Sequence, residues 1–183
     1  MILLMLSLSQ KIVTERLLLQ RLRYEDAEEI FYSYASKPEA TRFVSWPTHR
    51  SIDDTRKFLA STVPAWDRGI EFSYSVRLKP SARLVGSIGV VNMDTYLQFG
   101  YIFSPTQWGQ GFATEACRAV LRELCNLPEA MAISTFVDID NALSIRVLEK
   151  CGLRKDGVFP KWFQFPNQNN ASRDCILFSV PPA

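Results

Sequence analysis

Hydrophobic positions recur along the chain with two periods, which together predict strands and helices in a mixed order. Alternating or short apolar runs predict seven strands. These are residues 14–22, 72–78, 84–92, 96–103, 131–137, 158–165 and 175–180. Apolar residues spaced three and four positions apart predict four helices. These are residues 24–35, 51–65, 112–126 and 141–151.

This order of elements predicts a single α+β domain over residues 1–183. Its expected core is one mixed, mostly antiparallel sheet of six to seven strands, flanked by about four helices. Ser51 followed three residues later by Asp54 is typical of a helix N-cap. Pro38 and Pro128 are expected to end the helices that precede them.

Residues 1–13 form an apolar leader that lacks a basic stretch and a small-residue cleavage site. We expect this leader to be frayed or packed ahead of the first strand, and not to act as a targeting signal. No stretch of the chain approaches the ~20 apolar residues that a spanning helix needs. Association with a membrane is therefore not expected.

The composition narrows the classes of partner. With 183 residues, 47% of them hydrophobic and 22% charged, the chain is long enough to bury a core and is unlike disordered proteins. The formal net charge is only +2, and no run of basic residues offers a phosphate-binding stripe. We expect no nucleic-acid partner.

Four cysteines lie far apart without a CxxC pair, and His49 is the only histidine. Zinc sites need closely spaced Cys and His pairs, so no metal is expected. Scattered thiols are typical of buried groups in a reducing compartment, which predicts a cytoplasmic location. Because His49 is predicted to lie in an exposed loop, a Ser–His or Cys–His nucleophile is not expected either.

A loop with two glycines, Gly109 and Gly111, joins the strand 96–103 to the helix that follows. The free N–H groups of a helix start, together with its dipole, can hold an anion. An ordinary tight strand-to-helix turn gives the same pattern. The nucleotide-hydrolase loop requires Gly-Lys-Ser/Thr, but Phe112 follows the second glycine. The dinucleotide fingerprint requires a third small residue where Thr114 stands, and a βαβ unit in place of a meander.

Residues 108–116, WGQGFATEA, resemble the acetyl-CoA pyrophosphate loop of the GNAT superfamily of N-acetyltransferases, and in particular of its RimJ/RimL-like group. That loop has the form Gln/Arg-x-x-Gly-x-Gly/Ala, with Trp108 here in the first position. Further matches follow one another in the family's order from about residue 14 to residue 180. They are Thr14-x-Arg16-Leu17, Gly86-x-Ile88-Gly89, Gly100-Tyr101 and Asn141-x-x-Ser144 with the Val147–Leu153 segment VLEKCGL.

The resemblance implies binding of acetyl-CoA and names the residues that would hold it. Main-chain amides of Gly109, Gln110, Gly111, Phe112, Ala113 and Thr114, beside Trp108, would bind the pyrophosphate. Free main-chain groups of Tyr101, Ile102 and Phe103 would bind the pantetheine arm, and a backbone N–H in this run would stabilise the oxyanion. Asn141, which local pattern alone explains as a helix cap, would contact pantetheine. Ser144, on the same side of the helix, would donate a hydrogen bond or proton to the CoA sulfur.

The general base is left open by the sequence. Many relatives have a glutamate just before the Gly-Tyr pair, where this chain has Gln98, and an amide cannot take a proton at neutral pH. Glu71 and Asp94 are the substitutes we consider, Glu71 as the first choice. Deprotonation through ordered water, or binding of an already neutral amine, serves equally well.

The acceptor side is expected between the early helices and the last strands, as in the family. Phe43, Trp46, Trp66 and Trp162 are candidates for lining it, although core packing explains any one of them as well. Before the last strand the group often has Asn-Gly, whereas this chain has Pro-Asn-Gln-Asn-Asn at 166–170.

These observations predict an N-acetyltransferase that moves acetyl from acetyl-CoA to a primary amine by direct attack in a ternary complex. The amine is a protein N-terminus or a small molecule. The alternative from another class is a non-catalytic acyl-CoA-binding regulatory module, which Gln98 keeps open. A longer acyl donor and assembly as a homodimer are also left open.

Overall fold

Eight strands form one sheet in the computed structural model, which describes residues 6–127 and 131–181. Their bounds are β1 Lys11–Val13, β2 Leu17–Arg21, β3 Glu71–Leu78, β4 Leu84–Asn92, β5 Tyr96–Phe103, β6 Ala132–Asp138, β7 Arg154–Gln164 and β8 Ser172–Ser179. The order across the sheet is β1-β2-β3-β4-β5-β6-β8-β7, and only β5 and β6 are parallel neighbours. The predicted α+β class is confirmed, with slightly more strands than expected.

Five α-helices flank this sheet in the described residues. Their bounds are α1 Ala27–Ile30, α2 Pro38–Thr41, α3 Ile52–Ala65, α4 Phe112–Cys125 and α5 Ala142–Lys150. A 3-10 turn precedes α1 and a π turn follows it, so helical backbone covers the predicted 24–35 segment. The Ser51 cap is confirmed, because Asp54 accepts hydrogen bonds from the N–H groups of Arg50 and Ser51.

Pro38 does not end a helix, as the sequence suggested, but begins α2. Helical backbone has already ended at Ala35, and proline suits a first helical position because its missing N–H would be unpaired there. Pro128 lies outside the described residues.

The two ends of the sheet differ most from the sequence prediction. Lys11–Val13 pairs with β2, and Leu6 and Leu8 are buried in the main core, so the leader is packed from Leu6 onward. At the opposite edge, β7 begins at Arg154 and not at residue 158. Nearly every β7 residue is exposed on this edge strand, so no apolar alternation marks its start.

The sheet separates two hydrophobic cores. On one face, α4 packs its buried residues against strand residues that include Leu19, Phe72 and Phe99. On the other face, α1 and α3 enclose a smaller cluster around Ile30 and Leu59. Helices therefore pack on both faces of the sheet, and its middle strands β4 and β5 carry residues that line the cleft described below.

None of the helices within residues 6–127 and 131–181 has the length and apolar content needed to cross a bilayer.

Candidate active site

The sheet opens between β5 and β6. These strands pair only from Tyr96 to Gln98, opposite Ala132 to Ser134. Beyond Gln98, β5 remains paired with β4 as far as Phe103, but its other edge has no strand partner in the described part of the chain. An extended ligand can therefore use the free N–H and C=O groups along this edge of β5 as a neighbouring strand would, up to the Phe103 carbonyl, which accepts the Trp108 indole N–H.

The loop after β5 delivers the start of α4 to the same opening. Gly109 and Gly111 adopt φ values of +77° and +80°, a left-handed backbone that favours glycine. Gly111 is the N-cap and offers no side chain, so the first N–H groups of α4, from Phe112 to Thr114, have no side-chain cap. Together with the positive end of the dipole of this 14-residue helix, these groups form a site for an anion.

A set of hydrogen bonds from the turn between β1 and β2, which we call the brace, holds this loop. Glu115 Oε1 accepts hydrogen bonds from the Thr14 hydroxyl at 2.6 Å and from the Arg16 N–H at 2.9 Å, and its Oε2 pairs with Arg16 Nε at 2.6 Å. Arg16 Nη1 also donates to the carbonyl oxygen of Gln110 at 3.0 Å. The Thr14-x-Arg16 motif therefore acts on the glycine loop across about 100 residues of sequence.

The brace also fixes the charge of Glu115. Partial burial would raise the pKa of this carboxyl, but the hydrogen bonds from Thr14 and Arg16 outweigh burial and lower it below its ordinary value. Glu115 is therefore ionised at neutral pH, and it keeps Arg16 beside the loop.

Ser144 meets a buried tyrosine at the start of α5. The Tyr101 hydroxyl lies 2.6 Å from Ser144 Oγ and also donates to the Ser144 carbonyl at 3.2 Å. Burial raises the pKa of Tyr101 well above its usual range, so the phenol stays protonated. Asn141 caps α5, because its Oδ1 accepts the N–H of Ser144 at 3.2 Å. The cap uses the amide oxygen and leaves the amide nitrogen as the donor that Asn141 can offer a ligand.

One open cleft of about 1050 Å³ joins these features. The structure brings nearly all the site residues predicted from the sequence to its walls. They are Glu71, Tyr101, Ile102, Phe103, Trp108, Gly109, Gly111, Phe112, Ala113, Thr114, Asn141 and Ser144. Gln110 does not line the cleft, since the brace turns its carbonyl toward Arg16. The Trp108 indole donates to the Phe103 carbonyl at 3.0 Å, which ties the loop to the end of β5.

Residues 16–154 match the family described as the acetyltransferase (GNAT) domain. The chain belongs to the GNAT acetyltransferase family. It is 26% identical over 170 residues to the uncharacterized N-acetyltransferase YoaA of Bacillus subtilis strain 168, covering 91% of this chain and 94% of that protein.

Solved GNAT structures share the fold. The GNAT-family acetyltransferase of Bacillus anthracis superposes with a TM-score of 0.80 at 25% identity, covering 93% of this chain and 97% of that one. RimL, the ribosomal L7/L12 α-N-protein acetyltransferase solved with coenzyme A, superposes with a TM-score of 0.82 at 15% identity, with the same two coverages. The predicted family and enzyme class are confirmed, and the RimL fold is in keeping with the RimJ/RimL-like resemblance.

In this GNAT fold the candidate bases take different positions. Glu71, Val91 and Gln98 stand side by side across β3, β4 and β5, so their side chains share one face. Glu71 is thus two strand spacings, roughly 10 Å, from Gln98. Its Oε1 accepts the Ser73 hydroxyl at 2.7 Å. Asp94 is exposed in the β4–β5 turn and does not line the cleft.

Four aromatic side chains from the segment before α3 and from α3 itself also line the cleft, and we call them the aromatic wall: Phe43, Trp46, His49 and Phe58. Trp46 stacks with Phe58 at 6.3 Å between ring centroids. Of the other two tryptophans proposed from the sequence, Trp66 is a core residue packed edge-on against Phe72 and Tyr74. Trp162 is exposed on β7, away from the cleft.

The segment around His49 is a loop, as predicted, but the His49 side chain is not exposed as expected. His49 is half-buried, its Nδ1 lies 2.8 Å from Thr55 Oγ1, and its ring packs 5.0 Å from that of Trp46. Burial lowers the pKa of His49 below its ordinary value, against the charge of Asp54, so the ring is neutral at pH 7. The contacts come from α3, which local sequence around His49 does not reveal.

The cysteines do not supply a nucleophile to the described cleft, because none of them lines it. Cys117 lies buried on α4, and burial raises the pKa of its thiol well above the usual range. All four cysteines are free thiols. Within the described residues, no group of three or more acidic, cysteine or histidine side chains is placed to hold a metal ion.

Proposed function

We propose that this GNAT acetyltransferase moves the acetyl group of acetyl-CoA to a primary amine by direct attack in a ternary complex. The observation that carries the proposal is the meeting of three features in one cleft: the uncapped start of α4, the free edge of β5, and Ser144. Each suits a different part of one cosubstrate.

The cosubstrate would lie along this path. The N–H groups of Phe112–Thr114 bind the pyrophosphate, because they are free donors at a positive helix end. The pantetheine arm runs beside Tyr101–Phe103 as an added strand and meets the Asn141 amide. The thioester sulfur then reaches the hydroxyl of Ser144.

The transfer needs an oxyanion donor, a proton for the leaving thiolate and a neutral amine. A backbone N–H on the free edge of β5 stabilises the oxyanion, while Ser144 gives a hydrogen bond or proton to the sulfur. Glu71 is too far from the Gln98 position to act in place of the missing acid directly. It accepts the amine proton through water, or the amine binds already neutral.

The amine acceptor sits against the aromatic wall, in the cleft that Glu71 also lines. It is a protein N-terminus or a small-molecule amine. RimL, which shares the fold, modifies the α-amino group of a ribosomal protein, which supports the first choice and the RimJ/RimL-like grouping. The four free thiols support a cytoplasmic location.

The test measures acetyl-CoA binding by calorimetry and acetyl transfer to a panel of N-terminal peptides and small amines by mass spectrometry. Mass detection is preferred because the exposed thiol of Cys125 reacts with thiol reagents. We expect Ser144→Ala to lower kcat by about 100-fold, as loss of a general acid does, with little change in acetyl-CoA affinity. Ser81→Ala is the control, because Ser81 is exposed in the turn between β3 and β4, does not line the cleft, and its hydroxyl only accepts the N–H of Arg83. Equal kcat for both variants contradicts the role of Ser144.

A non-catalytic acyl-CoA-binding regulatory module is the second candidate, and the amide of Gln98 in the row of Glu71 favours it. It predicts tight acetyl-CoA binding, no product with any amine, and no effect of Ser144→Ala.

A further inference from the structure

A single side chain, Asn167, joins the loop between β7 and β8 to the loop that precedes α3. Its Nδ2 donates to the carbonyl oxygens of Thr41 at 2.7 Å and Trp46 at 2.9 Å. Its Oδ1 accepts the N–H of Thr48 at 2.9 Å and the Thr48 hydroxyl at 3.1 Å. A carboxamide has two N–H donors and two acceptor lone pairs, so these bonds use its full capacity.

The loop that Asn167 holds carries much of the aromatic wall. Residues 42–46 and His49 line the cleft, and the bonds of Asn167 fall on either side of Phe43. The hydroxyls of Thr41 and Thr48 close the base of the loop at 2.5 Å. The backbone that presents the wall is thus fixed at its base and at Trp46.

The loop between β7 and β8 that carries Asn167 also contacts the end of β6, which leads into α5, the helix of Ser144. Gln168 Nε2 and Arg173 Nε donate to the buried carboxylate of Asp138 at 3.0 and 3.1 Å. Asp138 ends β6, three residues before the cap of α5. The neighbouring residues Asn167 and Gln168 therefore bond to the aromatic wall and to the end of β6, and the Asn141 N–H donates to the Asp138 carbonyl at 2.9 Å at the start of the helix that carries Ser144.

We propose that Asn167 is a positioning residue that sets the distance between the aromatic wall and Ser144, and thereby selects the amine that fits. The inference rests on the proposed function, since it takes the aromatic wall as the acceptor side. Asn167 lies within the 166–170 segment, where this chain differs from the Asn-Gly of the group it resembles.

The test is Asn167→Asp, which keeps the shape and both acceptors but places a carboxylate oxygen against the carbonyls of Thr41 and Trp46. Asn169→Asp is the matched control, because it makes the same change on an exposed side chain two residues later. Trypsin reports on the loop directly, since Arg42 and Arg50 are exposed at its two ends. We expect cleavage after these arginines to be at least tenfold faster in Asn167→Asp, and within twofold of wild type in the control.

An affinity of Asn167→Asp for acetyl-CoA within twofold of the wild-type value shows that this variant is folded. Asn167→Ala, which removes all four bonds without adding charge, is measured in the same way and must also cleave faster. Equal cleavage rates in wild type, Asn167→Asp and Asn167→Ala overturn the inference.

The kinetic readout uses the panel amine that wild type acetylates fastest. A positioning role raises the KM for that amine at least fivefold and leaves the KM for acetyl-CoA unchanged, whereas general loss of structure raises both. A parallel rise in the two KM values overturns the selection of the amine. If wild type acetylates no amine, the proposed function fails, while the cleavage rates still decide whether Asn167 holds the wall.

Discussion

The brace on the glycine loop gives a sharp quantitative prediction through Glu115→Gln. Glutamine keeps the size of the side chain and one oxygen, which still accepts the hydrogen bonds from Thr14 and from the Arg16 N–H. Its amide nitrogen, however, replaces the oxygen that pairs with Arg16 Nε at 2.6 Å. The variant therefore loses one charge-assisted hydrogen bond, and its amide N–H points at the N–H of Arg16 Nε, so that two donors meet without an acceptor.

The magnitude follows from the exposure of the pair. A hydrogen bond between charged groups contributes about 1.5–3 kcal/mol, and exposed ion pairs less than about 1 kcal/mol. The Arg16 side chain is 43% exposed and that of Glu115 only 18%, which places the loss near the lower value, about 1.5 kcal/mol. For a domain of this size, that lowers Tm by roughly 3–6 °C. If the whole loss falls on the loop that binds pyrophosphate, acetyl-CoA affinity falls by about tenfold at most.

The assay combines thermal unfolding with the KM for acetyl-CoA at saturating amine. Asp67→Asn is the control, because it breaks a surface pair with Arg21 of the same length, 2.6 Å, and neither residue lines the cleft. We expect the control to lower Tm slightly and to leave the KM unchanged. A Glu115→Gln protein with the expected fall in Tm but an unchanged KM would show that the brace stabilises the fold without positioning the loop.

Three further predictions come from other parts of the site. Hydrogen bonds lower the pKa of Glu115 in the folded state, so ionised Glu115 stabilises the fold above the ordinary glutamate pKa, and this stabilisation is lost as pH falls through the lowered pKa. The Tm difference between wild type and Glu115→Gln should therefore shrink in acid. A Tm difference that stays constant with pH would refute this. Tyr101→Phe frees the Ser144 hydroxyl to rotate and should lower kcat by roughly tenfold, on the scale of one hydrogen bond. Tyr74→Phe, which loses a bond to the Ser9 carbonyl in the core, should affect stability only. Gly86→Ala should destabilise the protein by about 1–3 kcal/mol in chemical denaturation, because the new methyl would stand 2.6 Å from the Ile102 carbonyl. Gly100→Ala has open space for its methyl group, so it should leave stability unchanged. It should raise the KM of the substrate, acetyl-CoA or the amine, that binds beside residue 100.

Much of this site could be predicted from the sequence because its elements are local. The two glycines of the loop, the helix that starts at Phe112, and the three-residue spacing of Asn141 and Ser144 all depend on backbone geometry within a few residues. The order of these segments sufficed to indicate the family, which the match over residues 16–154 confirmed.

Contacts between distant segments were not predictable in this way. The same residue type took different positions: Trp46 lines the cleft, Trp66 lies in the core, and Trp162 is exposed. Nothing within a few positions of each tryptophan distinguishes them. Likewise, His49 enters the cleft because α3 packs against it, while its own neighbours in sequence are typical of a loop.

By itself, the sequence determined most of the strands and helices and the glycine loop, since these follow from spacing and backbone preference within short segments, and the resemblance of its motifs indicated the family. Only the tertiary structure decided that β5 leaves β6 after Gln98, that Tyr101 meets Ser144, and that Asn167 holds the aromatic wall. The partners in these contacts stand about 35 to 120 residues apart. Their meeting depends on how the whole sheet and its helices pack, which no local period encodes.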